Sequence, residues 1–282
     1  MLYTEFQASV PFRRYIQNYW TLKNSADATF GKIQNLLPDG GVEFIFNMLD
    51  PFECIVDDYA SVKYRSDCVI GSQAKHIQIK STGQITLFGV KFSPCGIYPF
   101  FSIPPIDLLD FSVEMEELWE LQGLGIGQAI HSAEPTTEGW IHAFETFFSQ
   151  RIKQFKRHSL NVEKAVNAIH FHKGQISVEN LAQNLKISIR HLERKFDERI
   201  GLSPKQLSRM FRFKNIFYLL TQFPQDWASI ALECGYYDQA HLISDFKSYM
   251  GLSPNAYIKR QRDLNHLSAA LNQPMSGFSN KD

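Results

Sequence analysis

Cysteine is scarce and scattered in this 282-residue chain: Cys54, Cys68, Cys95 and Cys234 stand far apart, with no C-x-x-C pair. That argues against a zinc ribbon or a disulfide framework and suits a reducing cytosol, so the expected location is cytoplasmic. No uncharged apolar run approaches the roughly 18 residues a membrane helix needs. The start, Met1 to Phe6, lacks the basic region and apolar run of a signal peptide. A membrane is therefore not an expected partner. Clusters that could hold a metal are also missing, since His76 is the only histidine before His131. No G-x-S-x-G nucleophile elbow occurs. Gly123-Leu124-Gly125-Ile126-Gly127 follows an acidic helical segment, whereas a dinucleotide loop follows a strand. No catalytic residue, metal or cofactor is expected.

Net charge is missing too, but its absence conceals an asymmetry. Residues 1–150 carry 9 Lys+Arg against 18 Asp+Glu, and residues 151–262 carry 19 against 9. A chain of this length is expected to form roughly two domains. An acidic half joined to a basic half implies that only the second meets a polyanion, unless the basic face is simply solvated. Charge alone leaves those readings even.

A stretch that occurs twice bears on the choice. His191-Leu192 through Gly201-Leu202-Ser203-Pro204 returns as His241-Leu242 through Gly251-Leu252-Ser253-Pro254, at an offset of fifty and without a gap. Leu192, Phe196 and Ile200 match Leu242, Phe246 and Met250, four residues apart on one helical face. The residues between them differ freely, as they would if one face packs identically while the other meets different targets. Each copy reads as a short amphipathic helix closed by Gly and then Pro. Two copies are too few for a solenoid, so a pair of small modules is expected.

The expected fold class is α+β. An amino-terminal small β-sandwich or open barrel is followed by helices, then by an all-α domain. Strands are expected at Asn18–Leu22, Val42–Asn47, Cys68–Gly71, Lys75–Lys80 and Ile85–Phe92. Glu43 is either a barrel-lining acid or an outward residue, and the outward placement is preferred. From about Ile106 the pattern turns helical, with Val113 to Leu121 and then Glu138 to Gln154. The expected domains are 1–155, a sensor or dimerisation domain that is β-rich to about 105, and 160–262. Residues 263–282 read as a flexible tail.

In the basic half, Val162 to His172 reads as a helix with Val162, Ala165, Val166 and Ile169 inward. Ser177 and Ser188 are expected to cap two helices around a Lys186-Ile187 turn; Asp226 and Asp238 do the same around Gly235-Tyr236-Tyr237. Helix, short turn, helix with an apolar inner face is the helix-turn-helix unit. The two units span about 177–200 and 226–250. Lys205 to Leu220 reads as one connecting helix; its sixteen residues would span roughly 24 Å.

This region resembles the tandem helix-turn-helix domain of the AraC/XylS transcription factors. The resemblance is carried by Ile176 to Ala182, Ser188 to Phe196, Gly201-Leu202-Ser203-Pro204, Ile230 to Leu242, Asp245-Phe246-Lys247 and Gly251 to Tyr257. More weakly, the first half resembles an amino-terminal domain attached to some of these regulators, on Leu37-Pro38-Asp39-Gly40-Gly41 to Asn47 and Gly89 to Gly96. The resemblance implies double-stranded DNA as the partner, with RNA polymerase, a small-molecule effector in the first half, and a second copy of the chain as further partners. In such units the second helix enters the major groove. Counted from Ser188, the outward positions are Arg190, Glu193 and Arg194, flanked by Lys195. The matching positions are Ala240, Ile243 and Ser244, with Gln239 near the start and Lys247 placed for a phosphate. Ser244 departs from the Arg common in the family, so the first unit is expected to read bases and the second to anchor. His170 and His172 read as solvated surface. His191 and His241 read as packed groups with a backbone hydrogen bond rather than a pH switch. Two other classes stay open: an enzyme domain tethered to DNA, and an architectural protein that does not choose sequence.

Overall fold

Period-two burial builds the first half. In this computed structural model, which describes residues 2–24, 33–36, 40–57, 60–72, 77–98, 105–109, 112–115, 125–154, 160–223 and 226–263, ten strands are seen among the described residues. They are β1 (Leu2–Phe6), β2 (Ile16–Lys23), β3 (Ile33–Leu36), β4 (Glu43–Asn47), β5 (Phe52–Asp57), β6 (Ala60–Tyr64), β7 (Cys68–Ile70), β8 (Ile77–Ser81), β9 (Thr86–Phe92) and β10 (Ser112–Glu114). They form an antiparallel six-stranded sheet, β1-β2-β9-β4-β7-β10, and a four-stranded one, β3-β8-β5-β6. Trp20, Leu22, Ile45 and Leu87 of the larger sheet share one core with Phe52, Cys54, Ile77 and Ile79 of the smaller. Their sequence neighbours Tyr19, Phe44, Phe46 and Phe88 point the other way. With both faces covered, β4 is buried at every position.

Helices cover that second face: α1 (Ile126–His131) and α2 (Thr137–Gln154). Trp140, Phe144 and Phe148, four residues apart, form the stripe that packs on Phe44, Phe88 and Phe92. The α+β class and the sandwich-like sheets match the expectation from sequence. Three local expectations change. Ser112–Glu114 is an edge strand on β7, not the start of a helix, because pairing with Cys68–Ile70 outweighs its helical propensity. Before it, Pro105–Leu108 is a 3-10 turn. Glu43 is buried, not outward: Trp20 Nε1 donates to its Oε2 at 3.2 Å and Lys91 Nζ lies 2.8 Å from Oε1. Two cross-strand partners satisfy a carboxylate that the alternation of β4 turns inward. Leu37 to Asp39, Lys75, His76, Gly123, Leu124, the helix expected at 116–121, the boundary at 155–159 and the tail beyond 263 lie outside the described residues.

The second half is helical: α3 (Leu160–Phe171), α4 (Val178–Asn184), α5 (Ile189–Arg199), α6 (Pro204–Gln222), α7 (Trp227–Glu233), α8 (Gln239–Met250) and α9 (Pro254–Asp263). Val162, Ala165, Val166 and Ile169 are buried, as are both repeat triads, Leu192/Phe196/Ile200 and Leu242/Phe246/Met250. The Gly-Leu-Ser-Pro runs start helices as much as they end them. Ser203 caps α6 with a full capping box to Gln206, and Pro204 takes the first helical position, where a missing N–H costs nothing. Ser253 does likewise for α9, accepting from the Ala256 amide. No helix among the described residues is long and apolar enough to cross a membrane.

Candidate nucleic-acid interface

Each helix-turn-helix unit is set by two caps. Ser177 accepts from the Asn180 amide and Ser188 from that of His191; Asp226 accepts from Ser229 and Asp238 from His241. Each such bond satisfies a donor the first turn would otherwise leave open. The turns need one left-handed residue, Lys186 (φ 55°) in the first unit and Gly235 (φ 71°) in the second. Ala182 of α4 and Ala231 of α7 are both buried in the helical core. The connecting helix α6 has 19 residues and so spans about 28 Å, against roughly 34 Å between successive major-groove turns.

On α5, Arg190, Glu193 and Arg194 are exposed and Lys195 is half-buried. They are brought to one helix, but Arg194 and Lys195 are already engaged: Glu198 lies 2.6 Å from Arg194 Nη1 and 2.7 Å from Lys195 Nζ. The Lys195 hydrogen bond holds the Glu198 carboxyl below its usual range, with the charges of Lys195 and Arg194 contributing. On α8, Gln239, Ala240, Ser244 and Lys247 are exposed, whereas Ile243 is half-buried against the helical core. The second helix therefore offers a smaller, nearly neutral outer face.

Sequence reasoning missed what holds α8 in place. Asp245 is buried; it pairs with Arg209 of α6 and accepts from the Tyr236 hydroxyl at 3.1 Å. The Asp245 hydrogen bond raises the Arg209 pKa, and burial, then the Asp245 charge, raises that of Tyr236. Gln175 Nε2 donates to the Glu233 carbonyl at 2.8 Å, tying the segment between α3 and α4 to the second unit. The only early signal for the trio was that Tyr236 and Asp245 both lie in the runs carrying the resemblance.

The histidines are quieter. The backbone amides of His191 and His241 bond the caps, and the His241 ring meets Tyr236 edge-on at 5.1 Å. His170 is half-buried rather than solvated, edge-on to Phe211 at 5.3 Å, and burial lowers its pKa; His172 is exposed. Cys234 is buried at the end of α7, and burial pushes its thiol up to about 12. Among the described residues no group of three His, Cys, Asp or Glu side chains is placed to hold a metal.

The first unit also rests on the β half. The Arg199 guanidinium, at the end of α5, lies 3.7 Å from the Tyr98 ring centroid, and Arg14 pairs with Glu163 of α3. Cys95 and Leu109 pack against the helical core, and the Pro105–Leu108 turn lies on α5. Gly40 (φ +78°) is so close to the Gly-Leu-Ser-Pro region that an added Cβ would stand 2.5 Å from Leu207 Cδ1 and 3.3 Å from Leu202 Cδ1.

Two family models match the chain: a helix-turn-helix domain over residues 181–260 and a domain of unknown function (DUF6597) over residues 4–114. An uncharacterized HTH-type transcriptional regulator of Haemophilus influenzae is 38% identical over 82 residues, 29% of this chain and 28% of the relative. The HTH-type transcriptional activator RhaS of Escherichia fergusonii is 27% identical over 130 residues, 42% of this chain and 46% of the relative. The chain thus spans less than half the length of these curated relatives. Among solved structures, ToxT from Vibrio cholerae aligns over 88% of this chain and 97% of its own, with a TM-score of 0.46 and 15% identity. The C-terminal domain of AraT from Geobacillus stearothermophilus aligns over 37% and 88%, with a TM-score of 0.35 and 30% identity.

Proposed function

We propose that this chain, which carries an AraC-type helix-turn-helix domain within residues 181–260, is a sequence-specific DNA-binding transcriptional regulator without enzymatic activity. The observation that carries the reading is the pair of capped helices α5 and α8, each with its apolar face buried and its opposite face exposed, held by one 19-residue helix. Residues 160–262 bind double-stranded DNA. Arg190, Glu193 and Arg194 read bases: an Arg fork suits guanine O6 and N7, and a Glu accepts from cytosine N4. Lys195 and Lys247 serve phosphates, while Gln239, Ala240, Ile243 and Ser244 line a second, weaker contact. Residues 1–155 form the regulatory domain, which takes a small-molecule effector or pairs with a second copy. An effector there shifts the population of DNA-competent arrangements. Its path is the contact of Tyr98, Pro105–Leu108 and Gly40 with the first unit. RNA polymerase is the onward partner, and the likeness to a named activator favours activation.

The test uses genomic fragments retained by the purified chain. Arg190→Ala and Arg194→Ala should each weaken the retained duplex by about 1–3 kcal/mol and an unrelated duplex far less. Equal losses on both would instead favour an architectural protein that does not choose sequence.

A further inference from the structure

The two helix-turn-helix units differ in length by one residue. Their first helices and turns match at an offset of 49. Ser177 and Asp226 cap, Ala182 and Ala231 are buried, Lys186 and Gly235 take positive φ, and the Ile187 and Tyr236 amides donate to the Ala182 and Ala231 carbonyls. From the caps Ser188 and Asp238 onward the offset is 50. The additional residue is Tyr237, between the residue that closes the turn and the one that starts α8.

Its placement is unlike that of its neighbour. Tyr236 is 5% exposed with its hydroxyl on Asp245, whereas Tyr237 is 93% exposed. A solvated phenol ring adds nothing to the core, and a rigid ring with a polar tip suits an interface. The insertion stands directly before the amino end of α8, the end by which a second helix of this kind approaches DNA. Being outside the helix, it flanks the groove rather than entering it, where hydroxyl side chains meet phosphate oxygens. The adjacent acid, Asp238, has its Oδ1 occupied by the His241 amide.

We propose that Tyr237 is a DNA-backbone contact of the second unit, its hydroxyl donating to a phosphate oxygen. It supplies hold where α8 presents Ala240, Ile243 and Ser244 opposite Arg190, Glu193 and Arg194 of the first unit. The proposal rests on the DNA-binding reading above. Tyr237→Phe keeps the ring and removes only the donor, so the thermal midpoint should stay at the parent value. Affinity for a retained genomic duplex and for an unrelated duplex should both fall, by a similar factor on the order of tenfold. The slope of log affinity against log salt should not change, because no charge is removed; Lys247→Ala should reduce it by about one. Parent-like affinity of Tyr237→Phe on both duplexes overturns the contact, and a loss on the retained duplex alone makes Tyr237 a base reader instead. A parent chain that binds neither duplex overturns the DNA-binding reading, and this contact with it.

Discussion

The Glu198 carboxylate lies within hydrogen-bond reach of both Arg194 and Lys195, two of the four side chains expected to meet DNA from the first unit. In the proposed complex, DNA would compete with Glu198 for the same two cations. Because all three side chains are at least partly solvent-exposed, the intramolecular pairs are weak and are screened by salt. Glu198→Gln removes the competing charge while keeping the length of the side chain. The variant should bind any duplex more tightly, by about two- to tenfold at low salt, with the gain shrinking as salt rises. Fluorescence anisotropy across a salt series measures this. Weaker binding would mean that Glu198 orients the two cations for DNA rather than withholding them. Spacing alone gave the outward set Arg190, Glu193 and Arg194, but not this competition, which depends on rotamers that three long side chains select together. Ile243 shows the same limit: the repeat register placed it outward, yet an apolar side chain beside a packed seam settles partly inward.

At the scale of the element, local chemistry was readable wherever one residue decides an outcome. The caps Ser177, Ser188, Asp226 and Asp238 could be picked out because a short polar side chain precedes an apolar helical period. Ser203 reads in the sequence as part of an ending because Gly201 precedes it, and its bond from the Gln206 amide makes it equally a beginning. Strands β1, β3, β5 and β6 fall outside the expected set: β1, β3 and β5 are held by partners distant in sequence, and β6 is an edge strand that pairs only with its neighbour β5, so their own patterns carry little of the signal. The inward turn of Glu43 depends on two partners, Trp20 and Lys91, on other strands. The helix-turn-helix connections carry a prediction of their own. Lys186 adopts the left-handed conformation that Gly235 adopts in the second unit, and a side chain with a Cβ is strained there. Lys186→Gly relieves that strain, while the added freedom of the unfolded chain offsets part of the gain. A net stabilisation of about 0.5 kcal/mol is expected by chemical denaturation. A loss of stability would show that the Lys186 side chain contributes more than its backbone costs.

For the whole molecule, one residue from each run behind the weaker amino-terminal resemblance, Gly40 of Leu37 to Asn47 and Cys95 of Gly89 to Gly96, lies where the β half meets the helical half. Gly40 abuts Leu202 and Leu207, and Cys95 packs into the helical core. Neither composition nor periodicity could reveal this, because both treat the halves separately and the joint is made of turn residues. The joint reaches α3 through Glu163 and α5 through Arg199, so the β half grips the proposed base-reading unit. Such a grip makes the halves unfold together if it is worth a few kcal/mol. The Arg199–Tyr98 stack contributes about 0.5–2 kcal/mol and the exposed Arg14–Glu163 pair up to about 1 kcal/mol. Combining Tyr98→Ala with Arg14→Ala should remove enough coupling to split one calorimetric transition into two, with the β half and the helical half melting separately. The same double variant should bind an unrelated duplex as the parent does, since neither position lies on the exposed faces of α5 and α8. One transition at the parent temperature would show that apolar contacts around Gly40, Cys95 and Leu202 suffice to join the halves; control of DNA binding would then have to run through them.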